Sequence, residues 1–168
     1  MTRPVSGKRP EILAPAGDRE RLQAALRYRA DAVYLAGSRF GMRSAPRNFT
    51  EEGLREAFRL AHDARAKAYV TVNTLPRSGE VDSLPPYLEL LQEAGADALI
   101  VADLGVLDLA RRYAPRCALH VSTQAGVVNY AAARMLHELG ASRVVLAREL
   151  SLAEVAEIRA RTPKELEL

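Results

Sequence analysis

The residues best placed to do chemistry in this 168-residue chain lie in the run His120-Val121-Ser122-Thr123-Gln124. Strand alternation puts His120, Ser122 and Gln124 on one face and Leu119 and Val121 on the other. Three polar side chains together are costly to bury unless they meet partners or a ligand. The run therefore reads as part of a site, with His120 as a catalytic group and Ser122 and Gln124 as substrate-binding groups. Its plainer reading is a satisfied structural histidine in a strand. Arg148 and Glu149 close a later strand and read as further catalytic groups, the arginine suited to an anionic substrate. Their alternative is a structural ion pair pinning that strand to the next helix. Asn73 closes an earlier strand, and Arg43 and Asn48 sit in a long loop; all three read as substrate-binding, with phosphate or carboxylate in reach of the loop pair. As solvated loop residues, Arg43 and Asn48 would need no ligand.

Other chemistries lack their signatures. There is no glycine-rich Lys-Ser/Thr phosphate loop, no GxSxG elbow, no HExxH and no CxxC. A serine protease built on Ser122 and His120 lacks a third orienting group and an oxyanion hole. The single cysteine, Cys117, can form neither an internal disulfide nor a metal cage, so no metal ligand is assigned.

These residues need a frame, and short apolar runs alternating with helix-period segments supply one: βαβ units with a parallel sheet. Strands are expected at Glu11 to Ala14, Ala32 to Leu35, Ala68 to Asn73, Ala98 to Ala102, Ala118 to Ser122 and Arg143 to Ala147. A seventh begins at Glu165. Asp18, Thr50, Asp103, Asn129 and Ser151 stand where helix caps belong, and a further helix opens near Pro85. The absence of GxGxxG after the first strand, together with polar residues at several strand carboxyl ends, favours a parallel (β/α) TIM-like barrel over an open doubly wound sheet. A full barrel takes roughly 250 residues. The expectation is thus one α/β domain over residues 1–168, about six and a half units of an incomplete barrel stopping before it closes. Residues 1–10 read as a flexible tail.

Composition sets the class. With 48% hydrophobic and 27% charged residues, the chain suits an ordinary globular core. No run approaches the roughly 18 apolar residues of a membrane span and the first ten residues make no signal peptide, so a cytoplasmic protein without a membrane is expected. The net charge is +3, but the first third holds most of the excess, which is compatible with contact to nucleic-acid phosphates and equally with solvated helix faces.

Seven ordered blocks of the sequence are similar to the collagenase-like peptidase U32 family along nearly the whole chain. They are Glu11 to Gly17, Ala30 to Tyr34, Met42-Arg43 with Asn48 to Thr50, Tyr69 to Thr74, Ala96 to Asp103, His120 to Gln124 and Val144 to Ser151. The family's name implies proteolysis of collagen-like or other unstructured chains. Several members instead act in oxygen-independent hydroxylation of tRNA, ribosomal RNA or ubiquinone precursors, with an iron–sulfur cluster held by cysteines. The loop from Met42 to Thr50 and the stretch Ser122 to Asn129 look most like the branch that forms 5-hydroxyuridine at the tRNA wobble position with prephenate implicated as cosubstrate. The resemblance implies tRNA as partner and cluster cysteines beyond Leu168, with no cofactor held by these residues; Cys117 matches no cluster ligand. A third reading is a non-catalytic half-barrel completed by a second chain.

Overall fold

The computed structural model describes residues 9–42, 48–162 and 165–167. Seven strands form one wholly parallel sheet in chain order: β1 (Leu13–Pro15), β2 (Ala32–Leu35), β3 (Lys67–Val72), β4 (Ala98–Val101), β5 (Ala118–Val121), β6 (Arg143–Val145) and β7 (Glu165–Glu167). Between them run α1 (Arg19–Arg27), α2 (Glu51–Asp63), a single turn α3 (Ser78–Val81), α4 (Leu84–Ala94), α5 (Leu104–Tyr113), α6 (Tyr130–Glu138) and α7 (Leu152–Arg161). Every strand pairs only with its sequence neighbours, so β1 and β7 each keep an unpaired edge among the described residues. The architecture is an incomplete (β/α) barrel, as the alternation of strand and helix patterns implies.

Local chemistry fixes the element starts. Asp18, Thr50, Asp103, Asn129 and Ser151 each accept a hydrogen bond from the backbone N–H three residues on, satisfying a donor the helix leaves free. At Ser151 the cap is reciprocal, since the Glu154 carboxylate accepts from the Ser151 backbone N–H.

Alternation divides each strand between two environments. Val33, Leu35, Val70, Val72, Leu99, Val101, Leu119, Val121 and Val144 face the helices and pack with Leu22, Leu54, Phe58, Leu88, Leu91, Val106 and Leu136 in the main core. The inner face carries a smaller cluster of Ala32, Tyr69, Ala98 and Ile100, joined by Leu13, Tyr34 and Ala118. Strand register aligns Ile100 with His120, His120 with Arg143, and Arg143 with Glu165 along that inner face. Polar and charged side chains thus enter the barrel interior through β5, β6 and β7. No helix among the described residues is long and apolar enough to cross a membrane.

Candidate functional site

Two regions hold groups with chemical potential, at opposite ends of the strands. At the carboxyl ends, β3 stops at Val72 and Asn73 follows; its Oδ1 accepts from the Met42 backbone N–H at 3.1 Å. Asn73 thereby ties the loop after β2 to the end of β3. Asn48 braces the base of the same loop, donating Nδ2–H to the Gly37 carbonyl at 3.2 Å. Arg43 lies outside the described residues. β5 ends at Val121, one residue earlier than expected. The buried Ser122 then opens a 3-10 turn over Thr123–Ala125, with its Oγ accepting from the Gln124 backbone N–H. Gln124 is consequently an exposed turn residue and not a strand residue sharing a face with His120.

Arg148 and Glu149 occupy an exposed turn after β6. No ion pair joins them, and the start of α7 is secured by Ser151 and Glu154 without their help. The Ala147 backbone N–H donates to the Val127 carbonyl at 3.0 Å, fastening the loop that carries Arg148 to the loop that carries Gln124. The Arg148 guanidinium has no partner among the described residues, so it is available to an anion. Exposed apolar side chains accompany this rim: Met42, Leu75 and Val128 from the loops after β2, β3 and β5, and Leu104 and Leu152 from the first positions of α5 and α7.

His120 does not join this group. It sits on the inner face of β5, 5% exposed, with its ring edge-to-face against Tyr69 at 4.7 Å. Its Nδ1 is buried without a hydrogen-bond partner. Burial, and after it the nearby Arg143 charge, pushes its pKa down to about 4, so the ring is neutral near pH 7. His120 lines a cavity of about 490 Å³ with Lys67, Tyr69, Asp97, Ala118, Ser142, Arg143 and Glu165, most of which stand at the amino ends of their strands.

A charged network that sequence reasoning missed organises this amino end. Arg143 donates to Glu11 at 2.8 Å, to Glu165 at 2.9 Å and to Glu167 at 3.2 Å, and its guanidinium lies over the Tyr69 ring. The Tyr69 hydroxyl donates to Glu11 at 3.0 Å, and the Lys67 ammonium stands 3.8 Å from the same carboxylate. Burial pulls the Glu11 pKa upward, yet the Arg143 and Tyr69 hydrogen bonds together hold it below the usual carboxylate value. Burial, with the Glu11 charge behind it, drives the Tyr69 phenol well above its ordinary value. The signal was present in the chain: Glu11, Arg143, Glu165 and Glu167 are charged positions in phase with strand alternation.

Cys117 does not fit a cluster ligand. It is buried, donates its thiol to the Ala96 carbonyl, and burial pushes its pKa up to about 11. Among the described residues no three His, Cys, Asp or Glu side chains are grouped to hold a metal ion.

The model of peptidase family U32 matches residues 17–168. The chain belongs to that family. The U32 chain is 41% identical over 163 residues to tRNA hydroxylation protein P1 of Bacillus subtilis (strain 168), covering 97% of this chain and 39% of that protein. It is 36% identical over 163 residues to the 23S rRNA 5-hydroxycytidine C2501 synthase of Escherichia coli (strain K12), covering 97% of this chain and 24% of that protein. The chain thus spans about two-fifths or less of the length of these relatives. Among solved structures, the U32 peptidase Mk0906 superposes with a TM-score of 0.80 at 21% identity, covering 99% of this chain and 70% of that one; this likeness speaks to the fold.

Proposed function

We propose that this U32 chain belongs to an RNA-hydroxylating enzyme whose substrate is tRNA, acting in the cytoplasm. The observation that carries the reading is likeness along almost the whole chain to proteins named for hydroxylation of two different RNAs. The carboxyl-end rim is chemically suited to the task. Arg148 offers an exposed guanidinium for a phosphate or for the carboxylates of a cosubstrate such as prephenate. Asn73, Ser122 and Gln124 stand on the neighbouring loop starts, and the link from Ala147 to Val127 holds two of those loops in fixed relation. Replacing C–H by C–OH on a base is a two-electron oxidation that needs an oxygen donor and an electron acceptor from outside these residues; the resemblance implies an iron–sulfur cluster there, and the described residues would bind and orient. Further chain, covalent or from a partner, would cover the open edges of β1 and β7.

The test is mass spectrometry of nucleosides from bulk tRNA of a strain deleted for the gene, complemented with the intact wild-type protein or with Arg148→Ala. Loss of 5-hydroxyuridine derivatives on deletion, return with wild type and failure with Arg148→Ala is the expected pattern. Unchanged tRNA nucleosides on deletion, in a genome with no second family member, with cleavage of gelatin by the intact protein, would replace this reading by proteolysis. Ser122 and His120 share no hydrogen bond, so such a peptidase would need another nucleophile.

A further inference from the structure

The end of α1 presents Arg27, Tyr28 and Arg29 in succession. Tyr28, the helix cap, is 85% exposed, more than any other large apolar residue of the described chain. Arg29 follows in left-handed backbone at φ 61°, and Arg65, just past the end of α2, adopts the same φ of 61°. In two other helices the left-handed position at the end belongs to glycine, Gly95 and Gly140, which adopts it without a Cβ clash. A cation near a helix carboxyl end interacts favourably with the dipole, but two residues earlier, where Arg27 already stands, it does so in relaxed helical backbone.

The two strained arginines are neighbours through the sheet. β2 and β3 pair with Ala32 opposite Lys67, and the Lys67 N–H donates to the Asp31 carbonyl at 3.0 Å, so the loops bearing Arg29 and Arg65 lie side by side. Nearby carboxylates are already engaged: Asp31 accepts from Arg9 and from the Ile12 backbone N–H, and Asp63 is paired with Arg59. Arg27, Arg29 and Arg65 are exposed and have no ion-pair partner among the described residues.

Resting on the proposed RNA reading, we infer that Arg27, Tyr28, Arg29 and Arg65 form an RNA-binding surface at the amino-end side of the barrel, away from the carboxyl-end rim. Tyr28 offers a stacking platform for an unpaired base, and the flanking guanidiniums meet the phosphates on either side. Such a surface holds a folded RNA by a part remote from the base that is modified.

The test measures fluorescence anisotropy of a labelled, unmodified tRNA transcript with the intact protein across a salt series. The double variant Arg29→Gly with Arg65→Gly removes two charges while relieving the backbone, so its melting temperature should equal or exceed wild type. Its slope of log affinity against log salt should shrink by about 1.4 for two single-strand phosphate contacts. Tyr28→Ala should weaken binding about tenfold, the loss of one modest stacking interaction. Unchanged affinity and slope in the double variant, or unchanged affinity in Tyr28→Ala, while wild type binds tightly, would overturn this surface and leave the RNA reading standing. A wild-type protein that binds no tRNA removes both.

Discussion

At the amino ends of the strands charge meets charge: Arg143 bonds three carboxylates, Tyr69 bonds one of them, and Lys67 stands beside the same group. At the carboxyl ends Arg148 is exposed with no such partner, among loops and helix starts that also expose five apolar side chains. Barrel enzymes place catalysis at the carboxyl ends and rely on the opposite end for stability; here the interlocked charges lie at the amino ends and the unbonded guanidinium at the carboxyl ends. Two arginines near opposite ends of one strand and its loop therefore do different work. Arg143 fastens β6 to β7 and to the segment entering β1, whereas Arg148 bonds nothing among the described residues.

Removing each arginine is the sharpest way to break the contrast. Arg143→Ala leaves the partly buried Glu167 without a cation and the partly buried Glu11 with only Lys67 and the Tyr69 hydroxyl, and should cost about 3 kcal/mol in urea denaturation. The Glu165 contribution is small, because that carboxylate is mostly exposed. An Arg143→Ala protein as stable as wild type would show that the amino-end network is ornamental to the fold.

That network also marks where sequence reading stopped. Strand order, the parallel sheet and the five capping residues follow from periodicity and from side chains that satisfy free helix donors, both local effects. Asn73, Ser122, Gln124 and Arg148 fall at carboxyl-end loops because strand ends are local too. Alternation groups His120 with Ser122 and Gln124 only if it runs past Val121; the 3-10 turn ends that alternation and leaves His120 facing Tyr69. The bond from Arg143 to Glu11 spans 132 residues of sequence, and only the curl of the seven-stranded sheet brings those side chains together. No periodicity announces that. The single helical turn α3 is equally silent in the sequence, since four residues carry no helical period.

The interior histidine gives the next largest effect. His120 has a pKa of about 4 in the folded chain against 6.5 for the free group. Above pH 6.5 the ring is neutral folded and unfolded, and it adds no pH dependence. Between 6.5 and 4 the unfolded chain takes a proton that the folded one refuses, so stability falls as pH falls, by about 3 kcal/mol across the window. Arg143 and Lys67 oppose protonation and Glu11 and Glu165 favour it, with burial outweighing all four. His120→Phe keeps a ring against Tyr69 and removes this component. The difference in stability between the two proteins, followed by urea titration, should be flat above pH 6.5 and slope below it; a difference that stays flat down to pH 4 would mean His120 is solvated.

The rim depends on packing from outside the barrel, and a smaller effect probes it. Gly37, at the base of the loop after β2, faces the Tyr87 hydroxyl of α4 so closely that a Cβ would drive into it. That hydroxyl is buried without a partner, and burial raises its pKa to about 12. Gly37→Ala should cost about 2 kcal/mol through overpacking. Tyr87→Phe alone should gain about 1 kcal/mol by removing an unsatisfied group, and the double variant should recover part of the loss. Strictly additive thermal and urea data would deny that the two residues compete for one space.

The smallest stability effect belongs to Arg148, and its smallness carries the argument. Arg148→Ala removes an exposed side chain that bonds nothing among the described residues, so stability should stay within about 0.5 kcal/mol of wild type. A guanidinium that holds substrate is lost from function without being missed by the fold, and RNA hydroxylation should fall while the urea midpoint holds. An Arg148→Ala protein that loses activity and stability together would place Arg148 with Arg143 among the groups that build the barrel, and the division between the two ends would have to be redrawn around Asn73 and Gln124.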